Sequence, residues 1–414
     1  MILRARVILP ISAPPIEDGA LIIDGGKISR VAPFRDLRPP ARENIIDLGD
    51  VVVLPGLINA HCHLDYTDMA GQLSPPRAFT DWIASITAAK TGWSYSDYAR
   101  SWLNGARQLL GTGVTTVADI EAMPDLLPDV WMATPLRVYS FLEMTGILSR
   151  RKPREILAEA VEKITSLKHP RNRAMLSPHA AYSTLPELLR QTAAVARRRR
   201  WLVSTHIAES EQEFDMFQHA RGAMHQWLGR NGRDNSDCGR GSPVAHFARN
   251  KLLGANVLAV HVNYLARGDA TLLGKNRTHV VHCPRSHDYF KHAPFPRQRL
   301  INAGVNLCLG TDSLATIRQS GKEKPQLNLF AEMRLLADRD TGASPADILQ
   351  MATVNGALAL GSAGQIGQLS KNAAADWIAL PFPGKVGKVL ESVLEHSGHI
   401  HAGMIAGRWT APPP

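Results

Sequence analysis

Long apolar runs are missing from this chain of 414 residues. None approaches the roughly 20 residues that a membrane-crossing helix needs, which excludes a membrane span. The N-terminal residues 1–7 lack an apolar stretch ending in a small-residue cleavage site, so secretion is not expected. Cysteine is scarce: Cys62, Cys238, Cys283 and Cys308 form no Cys-x-x-Cys pair and no dense framework. That spacing fits a reducing cytoplasm. Several catalytic signatures are absent too. No Gly-x-Gly-x-x-Gly follows the first strand, which weakens a doubly wound nucleotide-binding sheet. No His-Glu-x-x-His helix, no Pro-Cys-x-x-Cys partner to a His-x-Glu and no Gly-x-Ser-x-Gly elbow occurs.

Acidic residues are in deficit, with 37 Asp and Glu against 47 Lys and Arg, a net charge of +10. The densest basic run is the four arginines at 197–200. It closes an apolar-periodic stretch where a helix should end, and cations are favoured at a helix C-terminus. No basic stripe interleaved with aromatics accompanies it, so a nucleic-acid partner is not expected. A small-molecule substrate is, and a homodimer is compatible with the sequence. With 44% hydrophobic residues the chain can fill a substantial core.

The first fifty residues alternate as β-strands do, with Asp24-Gly25-Gly26 as a hairpin turn. The C-terminal segment has the same texture. Residues 1–54 and 365–414 are therefore expected to form one small, β-sandwich-like domain. Between them, short β-branched stretches at 51–54, 114–118, 136–140, 174–176, 201–205, 256–260, 278–281 and 305–309 alternate with helical ones. Eight such units predict an α/β fold, a (β/α)8 barrel over residues 55–364. The polar segment 229–237 reads as a mobile excursion.

A barrel of this kind carries its active site at the C-terminal ends of its strands. His61-Cys62-His63 follows the first strand, and residues two apart on a strand share a face. His206 ends the fifth, His261 the sixth, His282 the seventh and Asp312 the eighth. Imidazole and carboxylate in this pattern suit zinc or iron, with one position open for water.

The segments Pro55-Gly56-Leu57-Ile58-Asn59-Ala60-His61-Cys62-His63-Leu64, His206-Ile207-Ala208-Glu209-Ser210, His282-Cys283-Pro284-Arg285-Ser286 and Gly310-Thr311-Asp312-Ser313 resemble the amidohydrolase superfamily. The similarity is nearest to its chlorohydrolase and adenosine/guanine-type deaminase branch. It covers almost the whole chain. The resemblance implies one divalent metal ion, zinc first and iron second, held by His61, His63, His206 and Asp312. It makes Glu209 a proton relay to a ring nitrogen and His261 the group that orients water or substrate. Asp312 would serve as base, and His179, Trp82, His282 and Ser313 are candidate substrate contacts. Relatives with two metals use a carboxylated lysine at the end of the fourth strand. Here that strand ends Leu176-Ser177-Pro178-His179, without lysine. Two positions depart from the pattern: His287 stands where relatives often have asparagine, and Asp312-Ser313-Leu314-Ala315-Thr316 lacks their serine-asparagine pair. The implied activity is hydrolytic deamination of a purine-like or other N-heterocyclic small molecule. Hydrolysis of a cyclic amide, a guanidine-type group or a chloro-substituted ring is the alternative on the same scaffold. A binding protein without catalysis is the third reading, and the full ligand set with its adjacent glutamate argues against it.

Overall fold

The structure, a computed structural model, describes residues 1–37, 44–146, 151–319 and 324–413. Its N-terminal strands are β1 (Ile2–Ile8), β2 (Ile16–Asp24), β3 (Lys27–Pro33), β4 (Ile45–Asp47) and β5 (Val51–Pro55). Eight parallel strands follow: β6 (Leu57–Cys62), β7 (Val114–Glu121), β8 (Arg137–Met144), β9 (Arg173–Pro178), β10 (Val203–Ile207), β11 (Val257–His261), β12 (His279–His282) and β13 (Leu307–Leu309). The chain closes with β14 (Trp377–Pro381), β15 (Ala402–Ile405) and β16 (Arg408–Ala411).

Strands β6 to β13 pair in sequence order, each with its neighbour, as right-handed crossovers require. Their inner faces carry Ile58, Tyr139, Phe141, Met175, Leu258, Val260 and Val281, which fill the barrel. The seam between β13 and β6 is closed at its upper end by a bridge between Cys62 and Asp312. Asn59 staples it from the side. Its Nδ2 donates to Thr311 Oγ1 at 2.7 Å, and its Oδ1 accepts from the Thr311 amide at 3.0 Å. The amides of Thr311 and Asp312 both donate to the His61 carbonyl. Barrel closure and the positioning of His61 and Asp312 are thus one set of bonds.

Both chain ends build one eight-stranded mixed sheet, in which β14 pairs antiparallel with β5, and β5 pairs parallel with β1. The sheet folds over until two turns meet. The amide of Ala375 donates to the carbonyl of Gly26, and Gly407 packs so tightly on Gly26 that a Cβ there would lie 2.7 Å from its Cα. Gly25 and Gly26 adopt left-handed φ angles of 54° and 78°, which the hairpin needs. Trp377, Leu21, Ile28, Val53 and Met404 bury one face, giving the sandwich-like unit. Val7, Val52, Leu54, Ile378 and Leu380 turn the other face to the barrel's helices.

Two expectations need correction. Residues 51–54 are not the first barrel strand: β5 belongs to the mixed sheet, and the barrel begins at Leu57. Gly56 makes the crossing, because any Cβ there would collide with Thr115, only 2.1 Å from its methyl carbon. Segment 229–237 is no free excursion either. Arg233 is buried, and its guanidinium donates to the carbonyls of Ala181, Tyr182 and Asp234 and to the Asp237 carboxylate. The arginine run does cap a helix, Pro186–Arg199, with Arg197, Arg198 and Arg199 in its last turn.

Candidate metal centre and active-site cavity

The upper ends of β6, β10, β11 and β13 bring five side chains to one point. Nitrogens of His61, His63 and His206 lie within 4.8 Å of one another, as do the donor atoms of His61, His261 and Asp312. His61 Nε2 is 3.5 Å and His63 Nε2 3.7 Å from Asp312 Oδ1. Donors about 2 Å from a tetrahedral ion sit about 3.3 Å apart, so these separations fit a single ion. Backbone strain helps to aim them. His261, Val262, Asp312 and Ala208 all take left-handed φ angles, of 71°, 50°, 52° and 52°. Such residues cost about 1–3 kcal/mol each and concentrate at functional sites.

Burial pushes the pKa of His61 well below its usual value, helped by His206 and His179. His63 and His261 are lowered well below theirs, chiefly by burial, and His206 is lowered to about 4 by burial and His179. The imidazoles are therefore neutral, with lone pairs available. His206 Nδ1 donates to the His179 carbonyl at 2.9 Å, which leaves its Nε2 as the acceptor facing the cluster. His61 Nε2 and His261 Nε2 are buried without hydrogen-bond partners. Converging lone pairs with no donor between them are costly unless a cation sits there, so these residues fit a metal ion. Burial opposes charge on Asp312, yet His261, His63 and the 2.6 Å hydrogen bond from Ser286 Oγ hold its pKa below the usual carboxylate range.

Glu209 follows β10 and places Oε1 3.6 Å from His261 Nε2. Burial, Asp312 and Glu213 raise its pKa well above the usual value, a shift that favours the protonated form a proton donor needs. Its main chain is clamped on both sides. The Glu209 amide donates to Glu213 Oε2 at 2.9 Å, and Asn263 Nδ2 donates to the Glu209 carbonyl at 2.9 Å. His287 Nδ1 in turn lies 3.1 Å from Asn263 Oδ1. Helix Pro284–Tyr289 therefore steadies Asp312 through Ser286 and Glu209 through His287. The N-cap of the helix Glu211–His219 is Ser210, not Glu209.

His63, His206, Glu209 and Asp312 open into a cavity of about 740 Å³, lined also by Trp82, His179 and Ser313, while His61 and His261 lie behind them. His282 is set apart from them. It lines a neighbouring cavity, stacked on Phe295 with ring centroids 3.8 Å apart. The sequence reading passed over Tyr66, Lys90, Glu143, Tyr182 and Trp227, which also line the main cavity. Tyr66 stacks parallel on His63, and Lys90 Nζ donates to its hydroxyl at 2.5 Å. Glu143 is the last residue but one of β8, so the rule that selected the strand-end histidines points to it as well.

The amidohydrolase family model matches residues 52–410. This chain belongs to the amidohydrolase family. Among similar amidohydrolases, the 5-methylthioadenosine/S-adenosylhomocysteine deaminase of Syntrophobacter fumaroxidans is 31% identical over 383 residues, covering 88% of this chain and 80% of that protein. The 5'-deoxyadenosine deaminase of Methanothermobacter thermautotrophicus is 27% identical over 365 residues, covering 85% and 78%. The fold matches the zinc-bound adenosine deaminase of Xanthomonas campestris with a TM-score of 0.83, at 23% identity over 99% of this chain and 92% of that one. No helix among the described residues is long and apolar enough to cross a membrane.

Proposed function

We propose that this amidohydrolase is a metal-dependent aminohydrolase that releases ammonia from a purine-like N-heterocycle. The observation that carries the reading is a buried carboxyl, Glu209, placed 3.6 Å from His261 beside a cluster of imidazoles and one carboxylate at the mouth of one cavity. His61, His63, His206 and Asp312 are the ligands, and zinc is the ion favoured by their nitrogen and oxygen donors. The zinc-bound relative supports that choice. A bound divalent cation would lower the pKa of water from 15.7 to about 7.

Asp312 Oδ1 takes a proton from the attacking water, while Ser286 holds Oδ2. Glu209 delivers its proton to the ring nitrogen as the tetrahedral carbon forms, worth typically about 10²–10⁴-fold. The proton on Asp312 then passes to the departing amine, which leaves as ammonia, and the new hydroxyl returns a proton to Glu209 as the carbonyl forms. His261, between Glu209 and Asp312, orients the water. Trp82, Tyr182 and Trp227 supply flat apolar walls for the ring, and His179, fixed by a 2.6 Å hydrogen bond to Ser183, and Ser313 address its polar edge. His282 reaches the substrate only through the neighbouring cavity it lines. Residues 1–54 with 365–414 form the supporting unit and 55–364 the catalytic one, a division supported by one apolar cluster drawn wholly from the two chain ends. Screening aminated heterocycles for ammonia release tests the reading, and silence across purines and their nucleosides would refute it.

A further inference from the structure

The neighbouring cavity that His282 lines measures about 520 Å³, and we infer that it binds a small planar aromatic carboxylate that acts on turnover through the helix Pro284–Tyr289. The binding site stands apart from the deaminase reading, and only the coupling to turnover rests on it. The volume falls within the roughly 300–1,000 Å³ usual for small-ligand sites. Four rings line it: His282, His287, His292 and Phe295. Phe295 stacks on His282, His287 stands edge-on to His282, and His292 stands edge-on to His287. His282 is buried, and neither of its ring nitrogens has a hydrogen-bond partner among the described residues. His292 Nε2 is likewise buried without a partner, while its Nδ1 pairs with the Tyr264 hydroxyl at 3.1 Å. Buried polar groups are normally paired, and a ligand with a polar edge completes these.

The charges along the lining choose the ligand. Asp288 pairs with Arg339 at 2.5 Å and Asp340 with Arg297 at 2.6 Å, whereas the Lys291 ammonium has no partner among the described residues. One unmatched cation beside two matched carboxylates suits a monoanion and disfavours a phosphate dianion. Burial lowers the pKa of His287 to about 4 and of His292 to about 3, and it holds His282 well below its usual value, so the ring walls are uncharged. A metal ion is not the occupant, because among the described residues no three ligand atoms here lie within 4.8 Å of one another. Aromatic walls favour a flat aromatic body, and a carboxylate on Lys291 makes a charge-assisted bond. The same helix reaches the catalytic groups. His287 Nδ1 donates to Asn263 Oδ1 at 3.1 Å, Asn263 Nδ2 donates to the Glu209 carbonyl at 2.9 Å, and Ser286 Oγ donates to Asp312 at 2.6 Å. A filled cavity fixes this helix, so the effect falls on proton transfer and on kcat rather than KM.

The test titrates the zinc-loaded enzyme with 2-naphthoate, whose own fluorescence reports binding, and with the uncharged 2-naphthamide. Naphthoate should bind, and the amide should bind about 10-fold more weakly for want of the charge-assisted bond. Lys291→Met and Phe295→Ala should each weaken naphthoate about 10-fold, and Lys291→Met should leave ammonia release without the probe unchanged. Saturating naphthoate should raise kcat for adenosine by at least about 2-fold with little change in KM. If Phe295→Ala does not fold, Lys291→Met, a change at an exposed residue, carries the comparison. Absence of binding, equal affinity for the amide, or affinity untouched by Lys291→Met would overturn the site. A rise in KM alone would place the probe in the active-site cavity and overturn it too. Binding at this site with kcat unchanged would overturn the coupling. Silence across purines and nucleosides without the probe would refute the deaminase reading and the coupling with it, while the titration still decides the site.

Discussion

Replacing Glu209 by glutamine separates proton transfer from everything else the site does. The side chain keeps its size and loses its titratable proton. Its carboxyl accepts no hydrogen bond from the described residues, so no buried donor is stranded. The loop position rests on the main chain, through Glu213 and Asn263, and survives the change. Stability should therefore shift by no more than about 1 kcal/mol. Metal content should not change, because Glu209 lies outside the ligand cluster. Turnover should fall at least about 10²-fold, equivalent to about 2.7 kcal/mol of transition-state stabilisation. The assay needs metal analysis, a thermal melt and the rate of ammonia release on one preparation. Wild-type turnover would refute the proton-relay role, and loss of the metal would show that Glu209 is a ligand instead.

Other parts of the structure make their own predictions. Asn59→Ala removes both hydrogen bonds to Thr311 at the barrel seam. It should destabilise the fold by about 2–4 kcal/mol in denaturant titration and weaken metal binding, since the same seam carries His61 and Asp312. Asp376 is buried and accepts from Arg137 Nε and Nη2 at 3.1 and 2.9 Å and from the Ala406 amide at 2.7 Å, tying the barrel to the mixed sheet. Asp376→Ala should cost about 3–5 kcal/mol, read by chemical unfolding. Burial raises the pKa of Glu213 from 4.5 to about 7. The folded state thus holds a proton that the unfolded chain has released, and stability falls as pH rises from about 4.5 to about 7, by roughly 3 kcal/mol. Glu213→Gln keeps an acceptor for the Glu209 amide, so its melting temperature should gain on the wild type between pH 5 and 8. A constant difference across that range would contradict the argument.

The metal cluster was legible because the barrel rule assigns meaning to polar residues at strand ends, and His61, His63, His206, His261 and Asp312 stand there in the chain. The hairpin at Gly25-Gly26 was legible for a similar reason, since few residues adopt that turn. What escaped depends on long-range geometry. Val51–Pro55 reads like any buried strand, and only its pairing with β1 and β14 places it outside the barrel. Arg233 sits in a polar, turn-rich stretch that suggests exposure, yet its guanidinium finds two carbonyls about fifty residues away. Trp82 and Lys90 reach the cavity from the helix Phe79–Lys90, which the barrel rule does not cover. The left-handed backbone at His261 and Asp312 has no sequence signal, because neither residue is one that prefers it as glycine does.

The central claim is that one metal ion at the histidine cluster drives hydrolytic release of ammonia. Metal content and ammonia release from adenosine, followed in the same sample through chelation and titration back with zinc, test it most directly. The account predicts one equivalent of zinc per chain, loss of activity on stripping, recovery complete at one equivalent, and empty sites in His61→Ala and His206→Ala. Undiminished ammonia release from metal-free protein, or a second equivalent needed for activity, would contradict it.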